Sequence, residues 1–136
     1  MKKLLVALSI VLLLPVMAWA SDYNYISQDA LKQQLASHSE MTIVDICPVA
    51  QYAKGHVPGA IETNAYPVKT DEERAKLQAV LPKLAASSED VVIVCPGGAG
   101  GAKRTYDYYM ANGIAESRLH ILEKGMNGWP YQTEAK

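Results

Sequence analysis

Apolar and polar positions along the chain alternate between short apolar runs and amphipathic stretches. The clearest apolar runs, Met41 to Ile46 and Val91 to Val94, are rich in β-branched residues and read as strands buried on both faces. Ile61 to Ala65 and Arg118 to Leu122 are weaker runs of the same kind. Helical patterns lie between them. Ser27 is an N-cap followed by Ala30, Leu31 and Leu35, with Asp29 in the first turn and an end near Ser37. Ala50 to Ala53 is long enough for one turn, and Gly55, Pro58 and Gly59 shape the loop after it. Thr70 with Glu73 forms a capping box for a helix presenting Leu77, Val80, Leu81 and Leu84, which Pro82 kinks or ends. Ala102 to Asn112 is a helix with Tyr106, Tyr109 and Met110 toward the core, stopped at Asn112-Gly113. Gly125 to Trp129 is a turn closing on a buried aromatic. Strands alternating with helices predict an α/β domain whose mainly parallel sheet has helices on both faces.

The first twenty residues follow another pattern. Lys2 and Lys3 precede an apolar stretch from Leu4 to Leu14, and Ala18-Trp19-Ala20 is a small-x-small cleavage signal before Ser21. The stretch stops at Pro15, short of the roughly 20 residues a membrane span needs, and no cysteine follows to carry a lipid. Residues 1–20 are therefore expected to be a cleaved signal peptide, and residues 21–136 a single domain. The expected location is periplasmic or secreted, with no stable membrane insertion after cleavage; an uncleaved anchor is the alternative.

Charge narrows the partners. The chain has 13 basic and 14 acidic residues among 136. Without Lys2 and Lys3 the balance is 11 to 14, so no basic surface for nucleic acid is expected. His38, His56 and His120 are scattered without ligand spacing, and neither a metal nor another cofactor is expected. Tyr23, Tyr25 and Tyr131, near the termini, are expected to cover apolar surface or to meet a partner. The two cysteines, Cys47 and Cys95, leave a structural, protective or redox-active disulfide open.

Candidate chemistry centres on Cys95. It ends a strand and is followed by Pro96, Gly97, Gly98, Ala99, Gly100, Gly101 and Ala102 before the helix proceeds. In parallel sheets ligands bind beyond the carboxyl ends of the strands, and a loop nearly free of side chains there can surround a thiolate or an anion with backbone N–H groups. An ordinary buried thiol beside a tight turn is the competing reading. The loop is neither a Walker sequence nor a GxGxxG fingerprint. Lys103 and Arg104 oppose the helix dipole unless an anion sits at that end.

Three blocks resemble the single-domain rhodaneses, a sulfurtransferase family. The first runs from Ile43 to Cys47 and on through Gln51-Tyr52-Ala53-Lys54-Gly55-His56-Val57-Pro58-Gly59-Ala60-Ile61. The second is the strand, cysteine, loop and helix from Val91 to Gly113, and the third is Leu122-Glu123-Lys124-Gly125-Met126-Asn127-Gly128-Trp129. The resemblance implies a rhodanese-like α/β fold with a central, mainly parallel five-stranded sheet. It also implies a sulfurtransferase in which Cys95 is the catalytic sulfur carrier, passing sulfane sulfur as a persulfide from polysulfide, thiosulfate or another persulfide to a thiol or other nucleophile. Residues Gly97 to Ala102 would be the substrate- or anion-binding loop. Asp45, His56 and Gly59 match motif positions whose expected work is to hold neighbouring loops. The implied partners are a small sulfur-containing or oxyanion substrate and a thiol protein acting as acceptor or reductant.

Three departures from the family pattern bear on function. Cys47 and Gln51 stand where an arginine and a glutamate are usual, which makes Cys47 an accessory candidate as a resolving thiol or merely a space-filling residue. The stretch from Cys95 to Gly113 is one residue longer than is typical, resembling relatives that act on phosphate or arsenate. Those relatives close the loop with an arginine where this chain has Gly101; Lys103 and Arg104 are the accessory cations nearby. Thiosulfate handling is accordingly expected to be weak, with polysulfide or a protein persulfide favoured as donor. The alternatives to sulfur transfer are a noncatalytic oxyanion- or partner-binding module, a thiol–disulfide protein using Cys47 and Cys95, and a phosphatase- or arsenate reductase-like enzyme.

Overall fold

The structure is a computed structural model and describes residues 23–136; the expected leader at residues 1–20 lies outside them. Five strands form one sheet: β1 (Tyr25–Ile26), β2 (Met41–Asp45), β3 (Ile61–Glu62), β4 (Asp90–Val94) and β5 (Leu119–Leu122). Their order is β1-β5-β4-β2-β3, and every pairing is parallel. The helices are α1 (Gln28–Ala36), α2 (Val49–Lys54), α3 (Asp71–Gln78), α4 (Leu81–Ala85) and α5 (Gly100–Ala111). Short 3-10 turns occupy Glu116–Arg118 and Met126–Gly128. This is the rhodanese-like α/β architecture, a parallel five-stranded sheet flanked by helices.

Strand periodicity builds two cores. Successive side chains point to opposite faces, so Val91, Ile93 and Cys95 meet Leu77, Leu84, Tyr106 and Tyr109 from α3, α4 and α5. Val92 and Val94 join Leu31, Tyr52, Met126 and Trp129 on the face covered by α1, α2 and the closing 3-10 turn. β2 obeys the same alternation. Val44 and Ile46 lie on the α5 face, Ile43 and Cys47 on the other.

Several boundaries differ from the sequence reading. β1 escaped it, because two residues carry no periodic signal. β2 ends at Asp45 and β3 at Glu62, while β5 starts at Leu119. The helix expected from Thr70 to Leu84 is two helices. Pro82 has no N–H, and its ring would collide with the carbonyl of Gln78 in a continuous helix; α3 ends at Gln78, and Pro82 sits in the first turn of α4. α5 begins at Gly100, two residues earlier than expected. Met110 does not face the core. The buried stripe of α5 runs through Ala102, Thr105, Tyr106 and Tyr109, and Met110 falls beyond its edge at 39% exposure.

Two terminal tyrosines cover apolar surface. Tyr23 packs edge-on to Tyr106, with ring centroids 4.9 Å apart, and donates to Asp107 at 2.8 Å. Tyr131 packs edge-on to Trp129, donates to Asp29, and lies beneath the Lys32 ammonium. Tyr25 in β1 is exposed.

Candidate functional site

β4 delivers Cys95 to the carboxyl edge of the sheet, between the ends of β2 and β5. The loop after it turns back on the thiol, and the Gly98 N–H donates to Sγ at 2.9 Å. A second segment, after β5, fixes that turn. Met126 N–H donates to the Cys95 carbonyl at 2.8 Å and Asn127 N–H to that of Pro96 at 2.9 Å. Both carbonyls are thereby engaged from outside the loop. The fit leaves no space for side chains: a Cβ on Gly125 would stand 2.2 Å from the Cys95 oxygen, and one on Gly98 would stand 2.8 Å from the Lys124 nitrogen. Both glycines have positive φ, 69° at Gly98 and 58° at Gly125, which other residues adopt only with strain.

Cys95 is 2% exposed, whereas Gly97 and Ala99 are open to solvent and Gly97 meets nothing on the side a Cβ would occupy. Gly101 is closed. A Cβ there would lie 2.9 Å from Cδ2 of Tyr66 and 3.2 Å from Cδ1 of Ile46. Tyr66 is held from below, its N–H donating to the Ile46 carbonyl at 2.9 Å. Its ring therefore fills the space beside the position where the phosphate-active relatives are expected to carry an arginine. Ala102 is fully buried in the α5-face core.

The accessory cations diverge. Arg104 folds back along α5: its Nε donates to the Pro67 carbonyl at 2.9 Å, and Nη1 lies 3.0 Å from where a Gly100 Cβ would stand. Lys103 turns away, its ammonium 5.6 Å from the ring centre of Tyr23.

Cys47 and Cys95 sit on neighbouring strand ends, because β2 pairs with β4 up to Asp45 and Val94. They point to opposite faces, however, and both are free and buried. A disulfide requires Cβ atoms roughly 3.5–4.5 Å apart and directed at one another, which this alternation opposes. Burial, with the Asp45 carboxyl beside it, holds the Cys47 thiol protonated well above the usual thiol range. Asp45 itself is fully buried. Its Oδ1 accepts the Cys47 N–H at 2.7 Å, its Oδ2 has no hydrogen-bond partner among the described residues, and burial raises its affinity for a proton.

The remaining motif residues tie segments together. His56 stacks on Tyr52 at 3.7 Å between ring centres, with Nδ1 2.8 Å from the Tyr52 carbonyl. Its backbone exchanges two hydrogen bonds with Glu134, each 2.9 Å, fastening the C-terminal segment. Gly59 supplies a turn with φ of 82°, after which the Ala60 carbonyl accepts from the Tyr52 hydroxyl at 2.6 Å. Gln51 donates to Asn127 Oδ1 at 2.9 Å and so links α2 to the segment that locks the Cys95 loop. Tyr66 was missed at the sequence level. The rule placing sites beyond strand ends points to the segment after β3, but not to which ring covers Gly101. Among the described residues, no group of three or more His, Cys, Asp or Glu is arranged to hold a metal ion. No helix there is long and apolar enough to cross a membrane.

A parallel sheet with a glycine-rich cysteine loop at its carboxyl edge defines a rhodanese-like domain. Residues 27–131 match the family model for the rhodanese-like domain, and the chain belongs to that family, which is of sulfurtransferase type. No curated protein matches the chain. Among solved structures it is similar to a rhodanese-like domain protein from Staphylococcus aureus at 28% identity and a TM-score of 0.59, over 83% of this chain and 98% of that one. It is also similar to a thiosulfate sulfurtransferase from Pseudomonas aeruginosa at 22% identity and a TM-score of 0.57, over 84% of this chain and 20% of that one. A yeast protein tyrosine phosphatase of the rhodanese family matches at 18% identity and a TM-score of 0.61, over 82% and 86%. At those identities the last two speak for the fold alone.

Proposed function

We propose that this protein is an exported sulfurtransferase that carries sulfane sulfur on Cys95. The observation that carries the reading is the 2.9 Å hydrogen bond from the Gly98 N–H to Sγ, in a loop held by Met126 and Asn127. A backbone donor aimed at sulfur stabilises both a thiolate and the persulfide anion that replaces it. With thiosulfate as donor, the Cys95 thiolate attacks the outer sulfur. An Sγ–S bond forms, the donor S–S bond breaks, and its electron pair leaves with sulfite. A thiolate or cyanide acceptor then attacks the outer persulfide sulfur and returns the pair to Sγ. Charge balances in both steps, and no cofactor takes part. The donor is a small sulfur compound, and the acceptor a thiol protein or another nucleophile. Export follows from the leader read at residues 1–20, with a mature protein starting at Ser21 in the periplasm or medium.

The competing chemistries have less support. A disulfide between Cys47 and Cys95 meets the opposed faces described above, and a phosphatase lacks the loop arginine at Gly101. The burial of Cys95, 2% exposed, favours a noncatalytic receptor as the second reading. Intact mass and peptide mapping of reduced mature protein after polysulfide treatment separate the two. The expected result is one added sulfur on Cys95, removed by cyanide as thiocyanate, absent in Cys95→Ser and retained in Cys47→Ala. Reduced protein that takes up no sulfur would refute the carrier role and leave the receptor reading standing.

A further inference from the structure

Gln132 and Glu134 lie beyond Tyr131, where the match to the family model ends, yet they help to build a cleft. Their segment is pinned at several points. Trp129 Nε1–H donates to the Gln132 carbonyl at 3.0 Å. Further on, Glu134 and His56 exchange their two backbone bonds, and the Lys136 N–H donates to the Ala53 carbonyl at 3.0 Å. The segment and the second half of α1 line a cleft of about 620 Å³. Leu35, Ala36, Pro58 and Trp129 supply its apolar surface. Tyr131, also in the lining, meets Trp129 edge-on, with ring centroids 5.3 Å apart and an interplanar angle of 79°. This is the sheet face of Leu31, Val92 and Trp129, opposite to that of Cys95.

Charge decides what such a cleft accepts. Lys32, His38 and Glu134 line it. The Glu134 carboxylate is turned to His56, its Oε2 3.9 Å from Nε2. Asp29, one turn before Lys32, accepts the Tyr131 hydroxyl. His38 enters from the left-handed turn after α1, at φ of 54°, and brings no negative charge. Lys32 holds its ammonium 4.2 Å from the centre of the Tyr131 ring and makes no hydrogen bond or ion pair among the described residues. The unmatched charge is therefore positive, and it stands beside two aromatic rings. From this arrangement we infer that the cleft is a binding site for an aromatic monoanion, an aryl carboxylate by chemical class. Its ring lies against Trp129 and its carboxylate on Lys32. The site is independent of sulfur transfer at Cys95. Its volume falls within the roughly 300–1,000 Å³ of small-molecule sites, which are mostly apolar, largely pre-formed and carry a few polar groups. Aromatic pairs add stacking energy to the area they bury. An ammonium on a flexible stem is a point charge that meets a carboxylate without demanding one orientation. A cation of the same shape finds the Tyr131 face already taken and is repelled by Lys32. A neutral ring gains stacking alone.

The test uses one ring system with three charges. Naphthoate, naphthalenemethanol and naphthylmethylammonium are titrated into the protein by calorimetry, while proton–nitrogen NMR follows the Trp129 indole N–H. Naphthoate is expected to bind one to one, to shift that resonance and to weaken with added salt. The alcohol is expected to bind more weakly and the ammonium not measurably. Lys32→Gln is expected to lower naphthoate affinity about 2- to 5-fold, the range for one partly exposed ion pair. It should also remove most of the salt dependence and leave the alcohol unchanged. Leu35→Glu, which puts a carboxylate into the apolar lining, is expected to abolish naphthoate binding, whereas Glu134→Gln is expected to leave it intact. Lys32 is exposed, so its variant keeps the test decisive even where Leu35→Glu fails to fold. Equal affinity for the three compounds, preference for the ammonium, or loss in Glu134→Gln rather than in Lys32→Gln would overturn the assignment. So would binding that leaves the Trp129 resonance unmoved, or naphthoate that fails to saturate below about 1 mM. Sulfur transfer at Cys95 can fail without touching any of these readings.

Discussion

Gly125 and Gly59 share a backbone requirement and differ in everything else, which makes them a controlled comparison. Each has positive φ, 58° and 82°. A Cβ at Gly59 meets nothing within 4 Å, whereas one at Gly125 collides with the Cys95 carbonyl at 2.2 Å and the Gly98 nitrogen at 2.6 Å. Gly59→Ala is therefore expected to cost only conformational strain, about 1–2 kcal/mol. Gly125→Ala must also push the Cys95 loop away from the closing segment, and a loss above about 3 kcal/mol is expected. Urea unfolding of the two variants checks the order; equal losses would mean that the contact at Gly125 relaxes freely. The same comparison shows how far residue-level reading of a sequence reaches. Glycine at 97, 98, 100 and 101 announces a loop nearly free of side chains, but nothing in the string distinguishes Gly97, which faces solvent, from Gly101, which faces the ring of Tyr66.

Local elements are held by signals of short range, and those were the legible ones. Thr70 accepts from the Glu73 N–H at 3.1 Å, while the Glu73 carboxylate accepts from the N–H groups of Lys69 and Thr70 at 2.8 and 3.2 Å. These reciprocal bonds were readable as a capping box because both partners lie within one turn. Thr70→Ala is expected to destabilise by about 1 kcal/mol, read from the urea midpoint at pH 7, with Thr70→Ser keeping the cap and losing little; an unchanged midpoint in Thr70→Ala would show that α3 is held by its packing alone. What was illegible depends on contacts distant in sequence. β1 exists because Tyr25 and Ile26 pair with Ile121 and Leu122, and two residues cannot encode that on their own. Met110 is apolar at nearly the right helical angle, yet the stripe of α5 is set by the sheet it packs on. Arg104 reads as an accessory cation beside the loop, but its capture by the Pro67 carbonyl, far upstream, is not legible. The cysteine, its loop, the closing motif and Arg104 as an accessory cation are readable from the sequence, but the ring of Tyr66 and the direction the Arg104 guanidinium takes are not.

For the molecule as a whole, the most exposed consequence of a parallel sheet covered on both faces is electrostatic. Asp45 ends β2, an interior strand between β4 and β3, at 0% exposure. Burial raises its proton affinity most. The Cys47 N–H, the Cys47 thiol and His56 lower it, and Glu62 raises it again, with the net shift upward. An Asp in the unfolded chain titrates near about 3.9, so over the interval between that value and the raised folded one the native state binds more protons than the unfolded state. Stability must then fall as pH rises through that interval. The contribution of Asp45 is fully present below the unfolded value and is lost above the folded one. Exposed Glu73 acts in the opposite sense, since its lowered value favours folding above the unfolded carboxylate range, so the total profile of the wild type mixes both. Subtracting the profile of Asp45→Asn isolates the buried group, because Glu73 and the other surface carboxylates are common to both proteins. The expected result is a difference in urea-derived stability, wild type minus Asp45→Asn, that is largest in acid, declines as pH rises above about 4, and becomes flat once Asp45 is ionised in the native state. A difference that stays constant or grows with pH would mean that the Cys47 bonds and His56 outweigh burial, and that Asp45 is held as a carboxylate from the start.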